Sequence, residues 1–412
     1  MENKRLLIIA LNWPAPSYSA AGIRIFQLIK YFQDHGYCIT LACTADLPVV
    51  AFRALKIEPV QIKVNNSGFD VFVKELNPDI VLFDRFTAEE QFGWRVAEFA
   101  PKAIRILDTE DLHSLRKTRE EAIKKNIEFT SDLWLESDTT KREVASIYRC
   151  DLSLIISRFE LDLLTQHIGI DPSILMYLPF MLENIMDAQQ TAFNSYEQRK
   201  DFVFIGYGGH APNVDAIEQL KSNFWPEIRK VLPLAKLHIY GGNLPQKITQ
   251  LHHEKEGFLI QGWAPISNDV IGSARVLLAP LRFGAGLKGK LVEAMQNGTP
   301  FVTTSIGVEG MYDEKDWNGM GCDDPKVFAE TAIRLYDNQE NWERAQQLGC
   351  SMFNRLFDKK EWIPKLDLQL NSILEDLLVH RRKNFFGSLL YHQTLASTKY
   401  IAKWIQEKNK GQ

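Results

Sequence analysis

The sequence is poor in the features that mark secreted or membrane-spanning chains. It holds five cysteines in 412 residues, Cys38, Cys43, Cys150, Cys322 and Cys350. Their odd number and the lack of C-x-x-C spacing argue against a disulfide framework or a zinc site and point to a reducing, cytoplasmic setting. No apolar run approaches the roughly 20 residues needed to cross a bilayer, so no transmembrane segment is expected. The stretch from Leu6 to Leu11 that follows the charged N-terminus is also too short for a signal-peptide core. An excess of one charge is missing as well. The formal net charge is -4 and the two signs are interspersed, so no basic field favours nucleic acid as a partner. No G-x-G-x-x-G follows the first apolar run, which argues against a dinucleotide-binding oxidoreductase. There is no tandem repeat or low-complexity array.

What is present suffices for a sizeable core. With 45% hydrophobic and 24% charged residues over this length, two domains are expected. Leu6 to Leu11 reads as a strand buried on both faces, followed by a Pro/Ser/Ala/Gly loop and a helix starting near Gly22. Further strands are expected at 38–43, 80–83, 104–107 and 152–156, with helices at 86–99 and 123–148 between them. After a polar, Asn/Gln-rich stretch a second series begins. It has strands at 202–206, 237–240, 258–261, 276–279 and 301–304, again spaced by helical patterns. The alternation predicts an α/β protein with two Rossmann-like, doubly wound parallel-sheet domains facing across a cleft. The expected divisions are 1–184, a linker at 185–200, a second domain at 201–379, and a helical tail at 380–412 packing back on the N-terminal domain. In the tail, Leu389, Leu390, Leu395, Tyr400, Ile401, Trp404 and Ile405 fall at helical spacing. The basic cluster His380 to Lys383 beside Phe385-Phe386 reads either as a solvated helix end or as a peripheral contact with anionic lipid at the inner face of the membrane.

The chemistry concentrates between Pro280 and Met295. There P-L-R-F-G-A-G-L-K-G-K-L-V-E-A-M follows a buried strand. Gly284 and Gly286 permit close approach of backbone to a ligand, and a helix beginning near Leu287 aims its free N–H groups and positive dipole end at the loop. That geometry suits a diphosphate. Arg282, Lys288 and Lys290 add cationic donors, and Glu293, further along the helix, can accept hydrogen bonds from ribose hydroxyls. Alone, such a loop also reads as a tight turn with solvated lysines. In the first half, Asp108, Glu110, Asp111 and His113 follow a strand, the position at which open α/β sheets bind ligands. Acids beside a histidine also allow a metal reading.

The run G-A-G-L-K-G-K-L-V-E-A-M-Q-N-G-T-P-F-V-T-T-S-I-G-V-E-G, ending at Gly310, resembles the signature of group 1 (family 4) glycosyltransferases. Other segments agree in order: Phe202 to Gly206, Pro212 to Ala216, Trp225-Pro226, Gly262-Trp263, and Asp108 to His113. The resemblance implies the GT-B fold. It matches Glu293 to the second glutamate of the family's E-x7-E motif, a ribose contact, and places Lys288 and Lys290 toward the donor diphosphate. It aligns Gly262, Trp263 and Ala264 with the loop bordering the base, where Trp263 either stacks or is a buried structural residue. Gly22 is expected at a glycine loop near donor phosphate or acceptor, or else as a plain N-cap turn.

Two departures stand out. The first glutamate of E-x7-E falls on Ala285, and the usual Arg/Lys pair is absent from Gly206 to Asn213, G-Y-G-G-H-A-P-N. Phosphate binding therefore shifts onto Arg282, Lys288 and Lys290, with His210 either assisting or a polar surface residue. The resemblance implies a retaining hexosyltransferase in polysaccharide or glycoconjugate synthesis. It implies a nucleoside diphosphate sugar as co-substrate, no cofactor and no divalent metal, and a glycan, lipid-linked or protein acceptor. Asp111 and His113 are the expected contacts to sugar or acceptor. The alternatives are a nucleotide-sugar epimerase, a phosphorylase, or a noncatalytic partner or scaffold subunit.

Overall fold

The computed structural model describes residues 4–14, 20–46, 52–311, 321–392 and 404. The expected tail positions Leu395, Tyr400, Ile401 and Ile405 lie outside them. The first sheet has seven strands: β1 (Lys4–Ala10), β2 (Tyr37–Cys43), β3 (Ile57–Gln61), β4 (Ile80–Asp84), β5 (Ile104–Asp108), β6 (Leu152–Ile155) and β7 (Leu175–Tyr177). Their order is β3-β2-β1-β4-β5-β6-β7, and every pair is parallel. The second sheet has β8 (Lys200–Ile205), β9 (Leu237–Tyr240), β10 (Phe258–Gly262), β11 (Ala274–Ala279) and β12 (Phe301–Thr303). Its order, β10-β9-β8-β11-β12, is again all parallel.

Alternate side chains of each central strand enter opposite cores, because successive Cβ atoms point to opposite faces. Leu7, Ile9, Val81, Phe83 and Leu107 pack with Phe92 and Val96 of the helix Phe86–Phe99. Leu6, Ile8, Leu82 and Ile106 pack with Ile25, Leu28 and Phe32 of the helix Ala20–Asp34. This second core also takes Leu366, Leu370 and Ile373 from the helix Lys359–Glu375. The chain thus returns to the first sheet ahead of residue 380. The crossing is tied at Leu182, whose N–H donates to Phe357 O (2.7 Å) and whose carbonyl accepts from Lys359 N–H (2.9 Å).

The long helix expected at 123–148 is instead three: His113–Lys125, Ser131–Glu136 and Asp138–Arg149. Asn126 stops the first in a left-handed conformation (φ 52°), and Thr130 and Ser137 cap the next two through their side-chain oxygens. At the other end of the chain, half of the basic cluster turns inward. Arg381 forks onto both oxygens of Asp151 (2.8 Å each) and donates to the carbonyls of Pro101 and Ala103, while His380 Nε2 meets Asp151 O at 2.7 Å. Phe385 and Phe386 are exposed. Among the described residues no helix is long and apolar enough to cross a membrane.

Candidate active site

Parallel sheets bring every strand's C-terminal end to one edge, and the loops there carry the polar residues. In the second domain β11 feeds the loop 280–288 and then the helix Gly289–Gln296, with Lys288 at the N-cap position. Gly286 adopts φ +61°, and a Cβ on it would lie 2.9 Å from the Cβ of Asp111. Glycine is required there both by conformation and by the approach of the other domain. Lys288 is buried, and its Nζ donates to Gly286 O at 2.7 Å. Burial lowers its pKa, opposed chiefly by the Glu309 and Glu160 carboxylates.

The Lys290 Nζ donates to Asn213 Oδ1 (2.7 Å) and sits 4.1 Å from the centre of the Phe204 ring. Burial brings its pKa down to about 7, against the pull of Glu293. Asn213 lies in the first turn of the helix Ala211–Gln219, so two helix N-termini converge on Lys290. Their dipoles add positive potential at one spot. The Glu293 carboxyl is raised by burial and restrained by Ser267 and Lys290. His210 sits at the N-cap position of the helix Ala211–Gln219 without a side-chain capping bond; burial, then the charge of Arg116, holds its pKa down to about 4, so its ring is neutral.

Other expected donor residues are arranged differently. Arg282 is exposed and forks onto Asp215, with Nε to Oδ2 at 3.0 Å. Its guanidinium is therefore engaged by a carboxylate. The Gly286 N–H is also occupied, as described below. Of the two readings of Trp263, the buried one fails: the indole is 49% exposed and covers Gly242, where a Cβ would stand 3.0 Å from its Cε3. It is flanked by Gly262 (φ +77°) and the buried Ala264.

The first domain contributes the ends of β4 and β5. Asp108 is fully buried and bound by Arg24 through Nε (2.8 and 3.0 Å); Arg24 lies two residues after the buried Gly22 in the helix Ala20–Asp34. Glu110 follows at φ +62°, its carboxyl raised by burial and by Asp108 and Asp84. Asp111 pairs with Arg116 (Nε to Oδ2, 2.7 Å) and with His113 (Nε2 to Oδ1, 3.2 Å). Burial pushes the Asp111 carboxyl up, but Arg116 and then His113 outweigh it and hold it well below the usual range. For His113 burial dominates and lowers the pKa to about 4. At neutral pH the pair is an ionised aspartate accepting from a neutral imidazole.

Two residues without any motif join the halves. Glu160 Oε1 accepts both the Leu112 N–H and the Gly286 N–H, each at 2.8 Å. Arg119 donates to Gly284 O (2.8 Å) and forks onto Glu309 (2.7 Å twice). Among the described residues no group of three His, Cys, Asp or Glu side chains is placed to hold a metal ion.

Two facing parallel sheets, with a glycine loop and helix N-termini of the second set against strand ends of the first, define a GT-B protein. Its second domain carries the sequence signature of one group within that class: residues 199–338 match the family model for group 1 glycosyl transferases. The fold is shared with sucrose-phosphate synthase from Thermosynechococcus elongatus (14% identity, 90% of this chain and 99% of that chain, TM-score 0.69). HepE of Anabaena, solved with UDP and glucose, is similar at 12% identity over 89% of this chain and 99% of that chain, with a TM-score of 0.65. TarM of S. aureus, solved with UDP, fondaparinux and alpha-GlcNAc-glycerol, gives 10% identity, 89% and 100% coverage and a TM-score of 0.67. No curated protein matches the chain at a significant level.

Proposed function

We propose that this protein is a retaining glycosyltransferase that moves a hexosyl group from a nucleoside diphosphate sugar to an acceptor hydroxyl, without a metal ion, in polysaccharide or glycoconjugate synthesis. The observation that carries the reading is the convergence of Lys288, Lys290 and two helix N-termini at a glycine loop, facing the Asp111–His113 pair across the domain boundary. Cations and aimed N–H groups stabilise the negative charge that grows on a departing diphosphate. UDP in the complexes of HepE and TarM supports a uridine diphosphate sugar as the first donor to try.

In this reading Lys288 and Lys290 bind the diphosphate at the glycine loop. Glu293 takes the ribose hydroxyls, and Trp263, half-exposed beside Gly242, borders the base. Arg282 serves indirectly, holding Asp215 and with it the N-terminal turn of the helix Ala211–Gln219. The bond from the sugar C1 to the diphosphate oxygen breaks as the bond to the acceptor oxygen forms on the same face. The acceptor proton passes to the leaving diphosphate. Asp111 and His113 orient sugar or acceptor hydroxyls, one as a fixed acceptor and the other as a neutral ring. Positioning and electrostatics supply the rate. A glycan, lipid-linked or protein acceptor enters from the first domain, at the membrane face where Phe385 and Phe386 are exposed if the acceptor is lipid-linked.

Ala285 in place of a glutamate favours a second reading, a noncatalytic GT-B partner subunit. Incubation with UDP-, GDP-, ADP- and dTDP-hexoses, with and without an oligosaccharide acceptor and EDTA, separates the readings. EDTA-resistant, acceptor-dependent release of nucleotide, with the donor's anomeric configuration kept in the product, is expected. Binding without any turnover supports the partner subunit, and release without acceptor supports an epimerase-like enzyme.

A further inference from the structure

The backbone of the glycine loop is held by the other domain. Gly284 O accepts from Arg119 Nη1 at 2.8 Å, and Gly286 N–H donates to Glu160 Oε1 at 2.8 Å. Arg119 stands on the helix His113–Lys125 and Glu160 on the helix Arg158–Asp162, both in the first domain. The same Arg119 forks onto Glu309, at the end of the short helix Ser305–Val308 after β12, so one guanidinium ties the segments that follow two adjacent strands of the second sheet. The same oxygen of Glu160 also accepts the N–H of Leu112, the residue between Asp111 and its neighbour His113. A single atom therefore sets the glycine loop against the Asp111–His113 pair.

All of these groups are out of solvent. Glu160 is fully buried, and the Arg119 and Glu309 side chains are 6% and 12% exposed. Buried polar groups that lose such partners are costly to leave unmatched. The bonds to Gly284 O and Gly286 N–H both cross the cleft, whereas Gly286 O is held within the second domain by Lys288 Nζ. When the domains separate, Gly284 O, Gly286 N–H and Glu309 all lose their partners together.

We propose that Arg119 and Glu160 are positioning residues that clamp the backbone of loop 284–286 to the first domain, so that the donor site takes its binding shape only when the two domains are docked. The proposal rests on the donor reading above. It makes closure and donor binding one event, since whatever favours the docked arrangement favours the shaped loop. Burial raises the Glu160 carboxyl to about 8. Its neutral form is matched in shape by glutamine, whose oxygen can still accept both N–H groups.

The test compares Glu160→Ala, Glu160→Gln, Arg119→Ala and wild type by small-angle scattering and by calorimetric titration with UDP, GDP, ADP and dTDP. The clamp predicts a larger radius of gyration for Glu160→Ala and Arg119→Ala without nucleotide. It also predicts at least a tenfold rise in their Kd for whichever nucleotide wild type binds. Glu160→Gln should restore both to near wild-type values, within about threefold in Kd. Alanine variants that scatter and bind like wild type overturn the clamp, as does a glutamine variant that behaves like alanine. If Arg119→Ala does not fold, Glu309→Gln weakens the same fork from the other side and is read in the same way. If wild type binds none of the four nucleotides, the donor reading falls, while the scattering comparison still decides the clamp.

Discussion

His113 faces Asp111 at 3.2 Å and sets its ring edge-on to Phe86, with centroids 5.7 Å apart. With its pKa lowered to about 4 from about 6.5 in an unfolded chain, it contributes stability that is present above pH 6.5 and lost as pH falls through 4. The predicted loss between pH 7 and 4 is up to about 3 kcal/mol from this group. Denaturation of wild type and His113→Asn at both pH values checks it, since the variant should lose less. Lys290 titrates near 7 in the free protein, so a bound diphosphate should draw a proton onto it. At pH 7.5 nucleotide binding should take up at most about 0.8 proton, since roughly a quarter of Lys290 is already protonated there, and affinity should fall as pH rises above 7. Titrations in buffers of different ionisation enthalpy check this, and Lys290→Met should abolish the uptake. The placement of the lysines and Glu293 at one loop and helix start was legible in sequence because a loop-to-helix motif fixes their order. Glu160 and Arg119 were not: a charged residue on a helix reads as solvated, and only the tertiary fold takes it across the cleft.

Strand–loop–helix units were the most legible elements. Buried parallel strands are continuous apolar runs, and ten of them stood out by that pattern. The two that did not, β3 and β7, lie at the two edges of the first sheet. β3 carries Pro59 at its centre and β7 is three residues long, so neither makes an apolar run. The helix expected over 123–148 failed because its charge-rich sequence keeps a helical period across the stops at Asn126 and Ser137. At this scale Gly286→Ala should destabilise the protein by about 1–2 kcal/mol through its left-handed φ, and by more if Asp111 cannot yield; chemical denaturation measures it. Arg381→Ala should cost about 1–3 kcal/mol, because it strips the buried Asp151 of a fork and leaves it the Arg105 N–H at 2.9 Å and the Arg105 guanidinium 3.6 Å away. Faster proteolysis of the helices after Glu375 is the expected sign.

Across the whole molecule, two similar sheets facing one another follow from the repeated alternation of the sequence, whereas their docking does not. The cleft closes through a buried arginine–glutamate fork, a shared carboxylate oxygen and a glycine with no room for a side chain. Arg119 and Glu160 have no local signature, and although Gly286 and Glu309 belong to the motif run, nothing in that run names their partners across the cleft. The return of the helix Lys359–Glu375 to the first sheet is likewise visible only in three dimensions, since an amphipathic helix does not name the core that receives it. The central claim is a nucleoside diphosphate site at loop 280–288, and the most direct measurement is calorimetric titration with UDP, GDP, ADP and dTDP, with and without EDTA. The protein is compared with the triple variant Lys288→Ala, Lys290→Ala, Glu293→Ala. The account predicts selective, EDTA-insensitive binding of one nucleotide to wild type and its loss in the variant. Equal binding by the variant, or none by wild type, would contradict it.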